Sequence, residues 1–143
     1  MNWKHYTCEI SGKPALVLVD DRFQEQAPIH ELPRVSWFGV HCNQSPGADL
    51  WSPDEEQTLD SIEDDLIKLC EAFGRGWAVY VLRIATPGMR EYYLYHSSAA
   101  ELNKAFESLK TLHPSYKIES EAKDDPQWQQ YKTYADLVRY DAV

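Results

Sequence analysis

Seven carboxylates crowd into twelve residues, at Asp54, Glu55, Glu56, Asp60, Glu63, Asp64 and Asp65. At the head of a helix such a density complements the positive end of the macrodipole and solvates an exposed face. The same charges repel one another at helical spacing, so a basic surface on a partner would gain from meeting them. Glu56, Asp60, Glu63 and Asp64 are the residues expected to dock a second protein with a basic surface. A different constellation follows downstream: Arg83, Arg90, Tyr93 and Tyr95 lie on two adjoining β-rich runs. A guanidinium in a cleft can receive a carboxylate or phosphate, while one bracing a sheet meets an aromatic or acidic side chain instead. These four define the alternative expectation, a small-ligand site on an Arg/Tyr sheet face.

Other reactive groups carry less. The pairs Asp20/Asp21 and Asp124/Asp125, with His5, His30, His41, His96 and His113, are the candidates for acid–base work. Adjacent carboxylates point in different directions, and Asp125-Pro126 reads more simply as a helix N-cap with proline at the first helical position. His41-Cys42 offers two metal ligands, but neighbouring strand residues face opposite sides of a sheet and no third ligand is evident. The chain has six glycines and no phosphate-cradling glycine loop, G-x-S-x-G elbow or H-E-x-x-H pair. No catalytic residue, metal or cofactor is assigned on these grounds; a binding or regulatory role is favoured over an enzyme of undetected type. Tyr92-Tyr93-Leu94-Tyr95 invites comparison with sheets that stack RNA bases. The basic surface and the Lys/Arg-Gly-aromatic pattern are missing, which argues against nucleic acid.

A length of 143 residues suits one domain over 1–143 with a self-sufficient core. The net charge of −9 is unevenly placed: residues 1–73 hold 14 Asp and Glu against 5 Lys and Arg, and residues 74–143 hold 9 of each sign. The N-terminus has neither a basic nor an apolar signal region, and no apolar run reaches the ~18 residues of a membrane span. Cys8, Cys42 and Cys70, odd in number and widely spaced, read as buried, reduced thiols of a cytoplasmic protein.

These residues need elements to position them. Trp3–Ile10 and Ala15–Val19 around Gly12-Lys13-Pro14 predict a hairpin, and the proline-bearing stretch to Pro33 a loop, so that 1–33 is an N-terminal addition. Ser52, Pro53 and Glu55 spell a capping box for a helix over 53–73, with a stripe through Leu59, Ile62, Leu66, Leu69, Cys70 and Phe73 and a stop at Gly74. Strands are predicted over 35–41, 78–85, 89–96 and 116–122, the middle two joined by Thr86-Pro87-Gly88. Ser98 and Glu101 form a second capping box for a helix over 98–113, and a last helix over 124–140 carries Trp128, Tyr131, Ala135 and Leu137/Val138.

Strand, helix, strand, strand, helix, strand over 34–122 is the split βαβ, or ferredoxin-like, plan: an α+β fold with one antiparallel sheet and two helices on one face. In that plan 35–41 lies between 89–96 and 116–122. Trp77, Val79 and Val81 are expected on one face and Tyr80, Leu82 and Ile84 on the other. Both are apolar, so the hairpin, the last helix or a second subunit in a homodimer must cover what the two helices leave bare.

Two local patterns, Arg83-x-x-Thr86-x-Gly88-x-Arg90-x-x-Tyr93-x-Tyr95 and Asp124-Asp125-Pro126-x-Trp128-x-x-Tyr131, join Trp3, Tyr6 and Gly12-Lys13-Pro14-Ala15 in a likeness to a family. Together they resemble the bacterial family called domain of unknown function 695, which implies no activity and no catalytic residues. More distantly, the chain is similar in plan to regulator B of ribonuclease E, a small acidic protein that restrains a nuclease. That similarity implies a regulatory, partner-binding role; plan alone does not establish function.

Overall fold

The computed structural model describes residues 3–72 and 77–141. A two-residue turn at Ser11 and Gly12, both with positive φ, folds β1 (Trp3–Ile10) back on β2 (Lys13–Asp20). Lys13 and Pro14 were expected in the turn but already belong to β2. The paired positive φ values match the right-handed twist of the flanking strands, which a longer loop would not need to do.

Four more strands complete a six-stranded antiparallel sheet: β3 (Arg34–His41), β4 (Ala78–Thr86), β5 (Met89–His96) and β6 (Ile118–Asp124). Their order is β1-β2-β4-β5-β3-β6, so β3 lies between β5 and β6 as the split βαβ plan requires. The hairpin lengthens this sheet at the free edge of β4. Pro87 and Gly88, the latter at φ 79°, make the tight turn between β4 and β5.

The helices α1 (Glu56–Ala72) and α2 (Ala99–Leu112) follow β3 and β5. Leu59, Ile62 and Leu66 of α1, with Leu102, Ala105 and Leu109 of α2, bury against Phe38, Val40, Tyr92 and Leu94 of the sheet. Each of the buried leucine, isoleucine, valine and phenylalanine side chains contributes about 1.5–3 kcal/mol by leaving water. Ser98 caps α2 as predicted, its hydroxyl accepting from the Glu101 N–H at 3.2 Å. Phe73 and Gly74, expected to close α1, lie outside the described residues, as does the side chain of Val138.

The opposite face is covered by α3 (Gln129–Asp141) and the 21–33 loop. Trp128 is fully buried, stacks on Tyr95 at 4.0 Å between ring centroids, and donates its indole N–H to Leu32 O at 2.9 Å. Tyr131 donates to Asp20 O at 2.7 Å and Gln24 to Ala135 O at 2.9 Å, tying α3 to β2 and to the loop. The chain's own additions therefore bury much of the face that a second subunit might otherwise have covered.

Several boundaries and facings differ from expectation, each for a local reason. A register shift between Tyr80 and Leu82 makes Val81 an extra residue. Val81, Leu82 and Ile84 consequently all join the core beneath α3, and the predicted strict alternation fails there. The last strand begins at Ile118 because Tyr116 belongs to a turn, its N–H donating to His113 O at 3.1 Å. The last helix begins at Gln129 because Pro126 and Gln127 form a turn and Trp128 adopts φ 58°. Asp125 caps that helix from further back than an N-cap, its carboxylate accepting from the Gln129 and Gln130 N–H groups at 2.9 and 3.0 Å.

Candidate functional site

The helix acids and the strand arginines, two separate candidates in sequence, meet in space. Arg83 lies opposite Tyr92, and Arg90 opposite Ala85, on the sheet face beneath α1. Residues three apart on a helix share a flank, and Asp60 and Glu63 use theirs to reach down to these arginines. Arg90 donates to Asp60 at 3.1 Å, and Arg83 donates to Glu63 at 2.7 Å while the Tyr80 hydroxyl donates to the other Glu63 oxygen at 2.9 Å. Asp65 meets His113 of the α2 end at 2.7 Å. Glu56 and Asp64 point outward and are exposed.

Tyr93 and Tyr95 do not join Arg83 and Arg90. They alternate to the other face, where Tyr93 stacks on Trp37 and Tyr95 on Trp128, so the four residues form no single Arg/Tyr face. Burial raises both phenols far above their ordinary range, assisted by Glu91 at Tyr93 and by Asp125 at Tyr95. Asp125 itself is pushed up by burial, but the hydrogen bonds from Tyr95 and from the α3 N–H groups outweigh this and hold it below the usual carboxylate range. This arrangement is an anchor for α3.

At the head of α1 the expected capping box is replaced by something larger. Residues 53–55 form a turn of 3-10 helix, and the Ser52 hydroxyl makes no cap bond. Glu55, only 2% exposed, instead turns away from the helix and accepts from the Asn43 and Gln44 N–H groups at 2.7 and 3.0 Å and from the Tyr116 hydroxyl at 2.7 Å. Burial opposes its charge, yet these three donors and the nearby Arg90 hold its carboxyl below the ordinary value. Glu55 thus fastens the loop after β3 to the start of α1. Cys42 beside it is raised by burial and by Glu55, with Arg90 acting the other way.

That fastening shapes a cleft of about 380 Å³ lined by Asp49, Leu50, Trp51, Pro53 and Glu56. Its Trp51 wall is fixed from behind: the buried Arg90 guanidinium lies 4.2 Å from the ring centroid. The Gly88 N–H donates to Leu50 O at 2.9 Å, and Gly88 O accepts from the Cys42 N–H at 2.9 Å, so the β4–β5 turn holds both ends of the loop. Apolar surface from Leu50, Trp51 and Pro53 with two carboxylates at the rim suits an aliphatic or planar group carrying positive charge. Sequence reading passed over Trp51, although a tryptophan directly before a Ser-Pro helix start must lie beside that helix head.

Some of the remaining candidates have partners of their own, and of the three cysteines expected to be buried only Cys70 is, Cys8 and Cys42 being half-buried. Asp20 is buried against Arg22 at 2.7 Å, and Asp124 pairs with Arg34 at 2.9 Å. His41 meets Glu119 at 3.4 Å. Among the described residues no group of three or more His, Cys, Asp or Glu is arranged to hold a metal ion, and no helix is long and apolar enough to cross a membrane.

Comparison with curated proteins and with solved structures finds no match. A family model covers the sheet, all three helices up to the middle of α3 and the cleft, matching residues 1–135, and by that match the chain belongs to the family of unknown function DUF695.

Proposed function

We propose that this domain is a cytoplasmic binding and regulatory module that docks a basic segment of another protein at the cleft on the head of α1. One observation carries the reading: the 380 Å³ cleft joins an apolar wall of Leu50, Trp51 and Pro53 to the carboxylates of Asp49 and Glu56. It occurs where the helix acids face solvent. Glu63 and the half-exposed Asp60 are already engaged, by Arg83 and Arg90 respectively. The docking face is therefore narrower than the acidic run of the sequence, centring on Glu56 with Asp64 at its flank. A lysine or arginine side chain supplies both the apolar stem and the charge that such a cleft accommodates.

The small-ligand reading is less favoured, because an anion reaching Arg83 or Arg90 would have to displace Glu63 or Asp60. The test is titration of the full chain with a defined amphipathic peptide of alternating leucine and lysine. Its affinity should fall with rising salt, and fall again in Glu56→Lys and Trp51→Ala. Binding indifferent to salt and to both substitutions would sink the reading.

A further inference from the structure

A second concave feature lies on the opposite face of the sheet, at the end that α3 leaves open among the described residues. Its floor is Gly39, in β3, which lies between β5 and the edge strand β6. A glycine inside a strand weakens it relative to alanine, so its presence calls for a reason. Packing supplies none: a Cβ on Gly39 would meet only the Met89 sulfur, at the ordinary contact distance of 3.5 Å. The missing side chain opens a depression of about 110 Å³ lined by Trp37, Gly39, Met89, Glu91, Glu119 and Glu121.

Register gives the depression its chemistry. Gly39 pairs with Glu91 on one side and with Glu119 on the other, so two carboxylates flank the glycine in one row across three strands. Two strand spacings separate their backbones by about 10 Å, leaving a slot between them. Trp37 stands in the next row between Tyr93 and Glu121, with its ring stacked on Tyr93 at 5.5 Å. Glu119 is met by His41 at 3.4 Å and Lys117 at 3.3 Å, but among the described residues no lysine or arginine is within ion-pair distance of Glu91 or Glu121. Lys123, 5.9 Å from the Trp37 centroid, is the chain's own cation at the rim of this ring.

We infer that the Gly39 slot is a binding site for an arginine side chain presented by a protein partner. A guanidinium is planar and donates along both edges, so it can bridge the carboxylates of Glu91 and Glu119 while its face lies against the Trp37 ring. An ammonium is a compact charge and cannot span the slot in this way. Burial and the neighbouring Glu121 raise Glu91, with Tyr93 opposing, which is the condition of a carboxylate that gains from a new cation. The site is separate from the Trp51 cleft and does not depend on it.

The test is amide-resolved NMR titration of the full chain with N-acetyl-arginine methylamide and, in parallel, its lysine counterpart. The arginine probe should give saturable shifts at Gly39 and Glu119, and bind at least about threefold more tightly than the lysine probe. Glu91→Gln with Glu119→Gln should weaken it about tenfold while the dispersed spectrum of the folded chain persists, since a neutral amide relieves the burial of charge at the half-buried Glu91 position. Glu56→Lys should leave it intact, which separates failure here from failure at the Trp51 cleft. Absence of saturable shifts at Gly39, equal affinity for lysine, or binding that survives the double substitution would each overturn the assignment.

Discussion

Glu63 of α1 and Arg83 of β4 are joined at 2.7 Å with their side chains only 18% and 10% exposed, and Tyr80 donates to the same carboxylate. An ion pair this deep costs desolvation to form, and removing one partner leaves the other charge stranded. Its Coulomb attraction and its cost nearly offset each other, so it fixes where α1 sits more than it adds stability.

Glu63→Gln should therefore destabilise the fold by about 2–3 kcal/mol, leaving Arg83 without its counter-charge. The double variant Glu63→Leu/Arg83→Met should recover most of the loss, because apolar groups of similar volume remove both charges together. Urea unfolding of the three proteins measures this. A Glu63→Gln midpoint equal to the wild type would show that water already screens the pair.

Trp128 anchors α3 through stacking on Tyr95 and the bond to Leu32 O, and it is fully buried. Trp128→Ala should cost about 3–5 kcal/mol, as large aromatic truncations in cores do. Asp125→Ala should cost about 1–2 kcal/mol through loss of the two N–H bonds at the start of α3. Trp128 fluorescence is confounded by four other tryptophans, so chemical denaturation followed by far-ultraviolet dichroism is the appropriate measurement. An unchanged midpoint for Trp128→Ala would mean that the segment does not hold the body together.

Much of this architecture was legible beforehand because it is written locally. Turn dipeptides at Pro87-Gly88, the Ser98 cap and the apolar stripe of α1 are short-range signals, and the structure follows them. The facing of the candidate ligand residues was legible too: Arg90 and Tyr93 are an odd number of residues apart on one strand, so they cannot share a face. Other features depend on partners distant in the chain. Nothing around Val81 marks it as the extra residue of a bulge, since any of its apolar neighbours would serve as well. Glu55 has the right offset for a capping box, but Asn43, Gln44 and Tyr116 offer it three donors that Ser52 cannot match. Likewise the pairing of Asp60 and Glu63 with Arg90 and Arg83 is set by how α1 lies on the sheet, and no local pattern encodes it.

Acid should weaken the fold through His96. Its ring is fully buried on β5, and burial first, then the charge of Arg34, lowers it to about 4, with a Ser98 backbone group opposing. The unfolded chain takes up the proton near pH 6.5, whereas the folded protein resists until about pH 4. Stability from this residue is therefore complete above about pH 6.5 and is lost progressively as pH falls towards 4, by up to about 3 kcal/mol. His96→Leu should flatten the pH 7 to pH 4 slope of the urea midpoint. An identical slope in that variant would place the acid sensitivity of this pH range elsewhere.

The two classes of acid on α1 make opposite predictions for the same substitution. Glu56 is exposed and lines the cleft, while Glu63 is held by Arg83 and Tyr80. Glu56→Lys should change stability by less than about 0.5 kcal/mol, as exposed helix charges generally do. Glu63→Lys should cost several times more, because it sets a second cation against Arg83 in a site with little water. If the cleft docks a basic segment, only Glu56→Lys will slow association with the leucine-lysine peptide while leaving the melting temperature in place. Its effect should shrink as salt rises and the screening length shortens to about 8 Å at physiological strength. Equal stability losses for the two lysine variants would show that Glu56 is part of the scaffold, and an association rate untouched by Glu56→Lys at low salt would remove the charge complementarity on which docking at this cleft rests.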